Sequence, residues 1–446
     1  MRNFLLDNWS VSGSSIPDFS AAIADAKRYT HIVKKNLDDF KVLSRVDSPE
    51  YPDSLVFYYL DKDAIRELRE NGRIPKKRMH LEDVIKNPCL TEDFDKFLQE
   101  NSLTTKLMLI DNQNRLYFVS QGALATLSLR TKCGGDWFFN QSLSRDIAIA
   151  EVMSSAIDTV TVNYCEVGGV RKILSFCTEK YAEVPLTILT DIISKIATGD
   201  TEMSPATGPI SIERGRMGRI DCKWWSLSHR FAEIYIEFPD VAADIQATYG
   251  LPNEIVPGLY LATSDTADSS LFIRSTYRGD NGKSLSYVVS DEVQVIHKGS
   301  INLKKVMEAV DSRIFGKFLA FPEQLATLIM KEATPAALDL TTKNGQKRNH
   351  EIVMDRIKSV FKAVGMVGAI SKKNEKVLLE QISCEINPEI AYTEYDIAML
   401  IMGLPERLEG LDRKRETLFK KACADTVPVM AANNYVTKQE DILLTA

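Results

Sequence analysis

The sequence predicts an α+β protein: a largely antiparallel β-sheet core, preceded by a mainly helical segment and followed by a helical domain. Three observations predict it. Between about residues 105 and 300, short apolar runs recur between turn-forming Gly, Asn and Asp residues. From about residue 301 the apolar positions change to helical i, i+3, i+4 spacing. The 446 residues are 44% hydrophobic and 26% charged, a composition that can build a core, with length enough for two or three domains.

Residues 1–104 read as mainly helical and polar. Phe19, Ile23, Ala26 and Tyr29 recur at helical spacing after Pro17, a residue suited to a first turn. Asp61–Glu70 alternates charges as a solvated helix does, and Lys76-Lys77-Arg78 is a short basic run. Residues 105–300 form the β-rich core. Lys106–Ile110 and Arg115–Val119 flank a polar turn, and Thr159–Tyr164 and Val170–Phe176 flank Gly168-Gly169, giving two hairpins. A helix carrying Leu186, Leu189, Ile192, Ile193 and Ile196 follows. A three-strand meander is expected over Ile210–Arg214, Arg219–Ser226 and Phe231–Phe238. Further strands are expected at Leu259–Thr263, Ser270–Tyr277 and Leu285–Val295.

Residues 301–446 form the helical domain. A stripe from Leu303 to Leu319 should end or kink at Pro322. Ala333–Gly345 reads as a linker, and a second stripe runs from Ile352 to Val364. Shorter helices follow at 376–386, 394–403 and 405–424, with a loose tail after Pro428.

Charge and cysteine content narrow the function. The net charge of −6 opposes generic attraction to DNA, although a local basic groove is compatible with it. Seven cysteines, an odd number with no CxxC pair, indicate free thiols in a reducing cytosol. No stretch approaches the roughly 20 apolar residues of a membrane span. No secretory signal is visible, so the expected place of work is a cytoplasm, or a virion assembled there.

Motifs with built-in chemistry are missing. Gly282-Lys283-Ser284 resembles the end of a phosphate loop, but Tyr277 stands where the first glycine is required, so the segment reads as a hairpin turn. His31, His80, His229, His297 and His350 show no paired metal-ligand spacing. Asp265 and Asp268 fall in a Ser/Asp-rich stretch that reads as a turn. No catalytic residue, metal or cofactor is therefore assigned, and the expected role is non-catalytic.

The most suggestive constellation is Glu213-Arg214-Gly-Arg216-Met-Gly-Arg219-Ile-Asp-Cys-Lys223-Trp224-Trp225. Strand alternation would put Arg219, Lys223 and Trp225 on one face, with Trp225 the exposed ring. Arginines could hold phosphates there while Trp225 stacks a base. Against this, Glu233 and Glu237 on the next strand could pair with Arg219 and Lys223. Lys347 and Arg348, at the start of the second helical stripe, form a further basic cluster.

Arg171-Lys-Ile-Leu-Ser-Phe-Cys-Thr178-Glu-Lys180-Tyr181, then Pro185 and Leu189, resembles a phage- and plasmid-borne protein family of unknown function. That family shows a strand ending in Ser-x-Arg-Tyr before a leucine-bearing helix; Thr178 and Lys180 stand for the Ser and Arg. Ala123–Leu127 and the stretch Pro257–Arg274 fit it as well, so the likeness spans about residues 115–300. It implies a home in a mobile genetic element and supplies no catalytic residues. Such proteins handle nucleic acid, build virions or disable host defences. The expectation is binding or annealing of single-stranded nucleic acid with self-association, ahead of a virion or assembly role and of inhibition of a host defence.

Overall fold

A computed structural model describes residues 2–46, 56–71, 78–80, 94–100, 103, 105–140, 142–156, 158–181, 183–198, 217–264, 270–279, 287–296 and 302–432. The fold is α+β, as the sequence predicts, but its strands form two sheets. One is six-stranded and wholly antiparallel. Its order is β1 (Ser10–Gly13), β10 (Asp221–Ser228), β11 (Ala232–Glu237), β12 (Ile255–Thr263), β13 (Leu271–Gly279) and β14 (Tyr287–Val295). The other is eight-stranded. Its order is β2 (Thr30–Asn36), β8 (Thr159–Val167), β9 (Val170–Thr178), β7 (Leu116–Val119), β6 (Met108–Ile110), β3 (Lys41–Val46), β4 (Val56–Leu60) and β5 (Arg78–His80). Only its β7–β9 pair is parallel.

Both hairpins read from the sequence are present. Gly168 and Gly169 have φ of +59° and +84°, the left-handed pair that a tight two-residue β-turn requires. The expected meander is present in β10 and β11, whereas Ile210–Arg214 lies outside the described residues. β1, from the chain's start, is what pairs with β10.

The mainly helical reading of residues 1–104 is corrected. Helices Ile16–Lys27, Lys62–Asn71 and Phe94–Glu100 are there, but so are five strands among the described residues. Runs such as Val56-Phe-Tyr-Tyr-Leu60 are too short to show their state locally. They become strands by pairing with distant or mutual partners, β2 with β8 and β3 with β4 and β6.

The eight-stranded sheet is covered on both sides. Helices Gln121–Thr131 and Leu143–Ser155 pack Leu124, Leu127, Ile149 and Met153 on Val42, Leu109, Val162 and Phe176. The opposite face, with Leu43, Phe57, Phe118 and Leu174, shares one continuous core with the inner face of the six-stranded sheet. That core takes in Phe19 and Ile23 of the first helix, the helix Thr187–Thr198, the helix Pro239–Tyr249, and the helices after residue 302. The latter are Leu303–Arg313, Ala320–Thr327, Lys343–Ala363, Met366–Ala369, Lys372–Glu385, Glu394–Met402 and Arg413–Ala431.

Prolines behave differently from expectation in this region. The first stripe breaks at Ile314, and Pro322 sits in the first turn of the next helix, where a missing N–H costs no bond. Helix Arg413–Ala431 continues through Pro428, held by the buried contacts of Val427 and Met430. Among the described residues no helix is long and apolar enough to cross a membrane.

The amino-terminal segment lies in the seam between the sheets and is tied to each. From β9 the buried Lys172 ammonium donates to the carbonyl of Leu5 and meets Asp7 Oδ1 at 2.5 Å. From the turn after β10, His229 Nε2 lies 2.6 Å from the carbonyl of Phe4. A carbonyl only accepts, so Nε2 carries the proton.

Candidate nucleic-acid interface

The outer face of the six-stranded sheet is decided by one extra residue. Asp221 faces Glu237 and Cys222 faces Ile236, but the next pairs are Trp224 with Tyr235 and Trp225 with Ile234. Lys223 is a bulge, and a bulge reverses which side every later residue takes. Trp225 therefore joins Ile234 on the core face. It is 4% exposed, with the Phe19 ring 5.4 Å away. Its partner across β1 is Gly13, where a Cβ would come within 2.8 Å of the indole. The expected exposed stacking ring, Trp225, is thus buried, and Trp224 takes the outer face in its place.

The other predicted site residues separate. Arg214 and Arg216 lie outside the described residues. Arg219 is exposed; its Nε is 2.8 Å from Asp221, and its N–H donates to Asp240 Oδ2 at 2.8 Å. Gly218 precedes it with φ +65°, and a Cβ there would lie 2.3 Å from the same carboxylate oxygen. Lys223 reaches Glu237 at 3.5 Å, the cross-strand pairing foreseen from alternation. Glu233 instead accepts from the Tyr260 hydroxyl at 2.5 Å. Lys347 and Arg348 are exposed on helix Lys343–Ala363, in the carboxy-terminal helical region rather than on the sheet, with Arg348 3.4 Å from Glu351. Among the described residues, Arg219, Lys223, Lys347 and Arg348 are not gathered into one basic surface.

What it does assemble was not singled out from the sequence. Trp224 lies 6.0 Å from Tyr260 and 6.4 Å from Tyr235, ring centre to ring centre. The Arg274 guanidinium sits over Tyr260 at 5.6 Å and over Phe272 at 4.5 Å, a cation–π arrangement. Helix Arg413–Ala431 closes the far side with Glu416, Thr417 and Lys420, and Thr417 Oγ1 is 3.4 Å from Arg274 Nη1. The result is a cleft of about 340 Å³ with an aromatic floor and a mixed-charge wall.

The electrostatics of this face are locally balanced. Glu237 accepts from the Tyr235 hydroxyl at 2.7 Å and from Arg278 at 2.7 and 2.9 Å. Burial by itself would raise its pKa, but the hydrogen bonds from Arg278 and Tyr235 hold it below the usual carboxylate range. Arg274 pairs with Glu292 at 2.5 Å and Lys420 with Glu416 at 2.7 Å. Each of these cations thus has a carboxylate beside it, and the described residues of this face form no continuous positive track.

The Gly282-Lys283-Ser284 segment and Asp265–Ser269 lie outside the described residues. The strands flanking Gly282, β13 and β14, pair antiparallel, which are the arms of a hairpin and not of a phosphate loop. Among the described residues no three His, Cys, Asp or Glu side chains are grouped to hold a metal ion. No family model, curated protein or solved structure matches the chain.

Proposed function

We propose that the protein binds single-stranded nucleic acid, as a strand-binding or annealing factor, and that it grips bases before phosphates. One observation carries the reading: the bulge at Lys223 turns the Trp224 ring into a cleft beside Tyr260 and Arg274. Every base offers a π-face, so such a cleft accepts strands of any sequence. The neighbouring cations are already paired with carboxylates, so little counterion is displaced on binding. The setting, a phage or plasmid, is taken from the likeness of residues 115–300.

The test is filter binding of a labelled oligonucleotide across a salt series. The slope of log K against log salt should be shallow, since each phosphate contact to a single strand adds only about −0.7. Trp224→Ala should weaken binding by roughly 1–3 kcal/mol and leave the slope unchanged. Arg214→Ala with Arg216→Ala, in the segment leading into β10, should flatten it. No binding at low salt defeats the proposal.

A second reading, self-assembly into a particle, draws on a different observation. Leu129, Trp137 and Phe139 are 71%, 47% and 37% exposed on the successive helices Gln121–Thr131 and Asp136–Phe139. Sedimentation over a concentration series tests it, and a monomer at all concentrations removes it.

A further inference from the structure

We propose that the seam between the two sheets is a second binding site, for a small, flat, uncharged molecule carrying one N–H or O–H donor. The seam encloses a cavity of about 290 Å³. That is near the lower end of the roughly 300–1,000 Å³ spanned by small-molecule sites. Phe4 and Trp9 of the amino-terminal segment, Leu186 and Leu227 give it apolar walls. Tyr164 of β8 and His229 supply polar groups, so each sheet contributes to the lining.

His229 determines the hydrogen-bonding character of the ligand. The side chain is buried, 9% exposed, and its Nε2–H is committed to the carbonyl of Phe4. The fixed tautomer leaves Nδ1 as a lone-pair acceptor, and Nδ1 has no hydrogen-bond partner. Burial, helped by the nearby Lys172, outweighs the backbone carbonyls of Phe4 and Leu6 and lowers the imidazole pKa to about 4, so at neutral pH the ring stays neutral. A ligand N–H or O–H is the complement of that atom.

The walls set the shape and charge. Phe4 and Trp9 have ring centres 4.4 Å apart, and His31 stacks on Tyr164 at 5.0 Å with 28° between planes. Rings of this kind pack best against another flat ring. The charged side chains of the lining, Lys27 and Glu183, are exposed, whereas the His229 imidazole is flanked by the Phe4 and Trp9 rings, so the buried part of the cavity favours an uncharged ring.

The proposal is independent of nucleic-acid binding, and calorimetric titration of the full chain with indole and with N-methylindole tests it. N-methylindole keeps the flat apolar body and lacks the donor. Indole should bind saturably with one equivalent, and N-methylindole about tenfold more weakly, the worth of one hydrogen bond. His229→Leu should erase that difference, and Leu186→Trp should fill the cavity and abolish both. If His229→Leu fails to fold, the two ligands on the unaltered chain decide alone. Absence of saturable indole binding, equal affinity for the two probes, or undiminished binding by folded Leu186→Trp would each overturn the assignment.

Discussion

The eight-stranded sheet is covered on both faces, whereas the six-stranded sheet keeps one face in the core and turns polar groups and Trp224 outward on the other. The two handle charge accordingly. In the turn between β6 and β7 of the covered sheet, Asp111 accepts from Arg115 Nε at 2.9 Å, Lys35 at 3.2 Å and Tyr117 at 3.2 Å. It also accepts from the backbone N–H groups of Gln113 and Arg115. A carboxylate so fully engaged supports the fold and has no lone pair to lend a ligand. On the open face the ions are paired too, but an aromatic ring is left half-buried with space above it. The comparison teaches that ion pairing marks scaffolding in both sheets, and that the unfilled ring marks the proposed site.

The largest expected effect comes from breaking the covered sheet's inner pair. Arg145, fully buried on helix Leu143–Ser155, donates to Asp146 at 2.9 and 2.7 Å and to the carbonyl of Thr105 at 2.8 Å. Arg145→Ala would leave Asp146 buried without its cation and should cost about 3–5 kcal/mol in urea unfolding. A loss under about 1 kcal/mol would mean that water reaches this site after all.

The next effect separates adjacent tryptophans. Trp225→Ala empties core space and should cost about 3–4 kcal/mol. Trp224→Ala should cost about 1 kcal/mol in stability, because only part of its ring is removed from water. Equal losses would contradict the bulge at Lys223.

The last effects are two acid steps, one from each sheet. His229 is neutral when folded, its pKa depressed from 6.5 to about 4 by burial and by Lys172. The unfolded chain takes up that proton first, so stability falls as pH drops from about 6.5 to about 4, by about 3 kcal/mol. For Asp111, burial opposes ionisation, but the donors from Arg115 and Lys35 win and hold its pKa at about 2 rather than 3.8. Its contribution, about 2 kcal/mol, is complete above about pH 4 and fades towards pH 2. Urea midpoints against pH should lose the upper step in His229→Gln and the lower step in Asp111→Asn. If both steps survive both substitutions, other groups carry the acid response.

Elements that announce themselves locally were legible in the sequence. Gly168-Gly169 marks the β8–β9 turn, short apolar runs between turn residues mark β11 and β13, and the 3.6-residue stripe marks helix Lys343–Ala363. β2 was hidden because its partner lies more than a hundred residues on, and nothing in Thr30–Asn36 reveals that. The site was hidden by the bulge: strict alternation names Trp225 as the exposed ring, and one unpaired residue exchanges the two. Tyr260 and Arg274 carry no local mark of their role, since only the β12–β13 register sets them opposite each other.

The placement of β1 sets a timetable for making the molecule. Gly13 of β1 pairs with Trp225, so the strand's partner is synthesised roughly 200 residues later. A ribosome adding about 5–20 residues per second needs roughly 10–40 s for that interval. During it, the edge of β1 and the part of the first helix that meets β10 wait uncovered. The strand is four residues long and two of them are serine, which makes the waiting edge a poor template for another chain. A stalled chain that ends before Asp221 should therefore keep its first helix open to protease, and one released after Glu237 should close it.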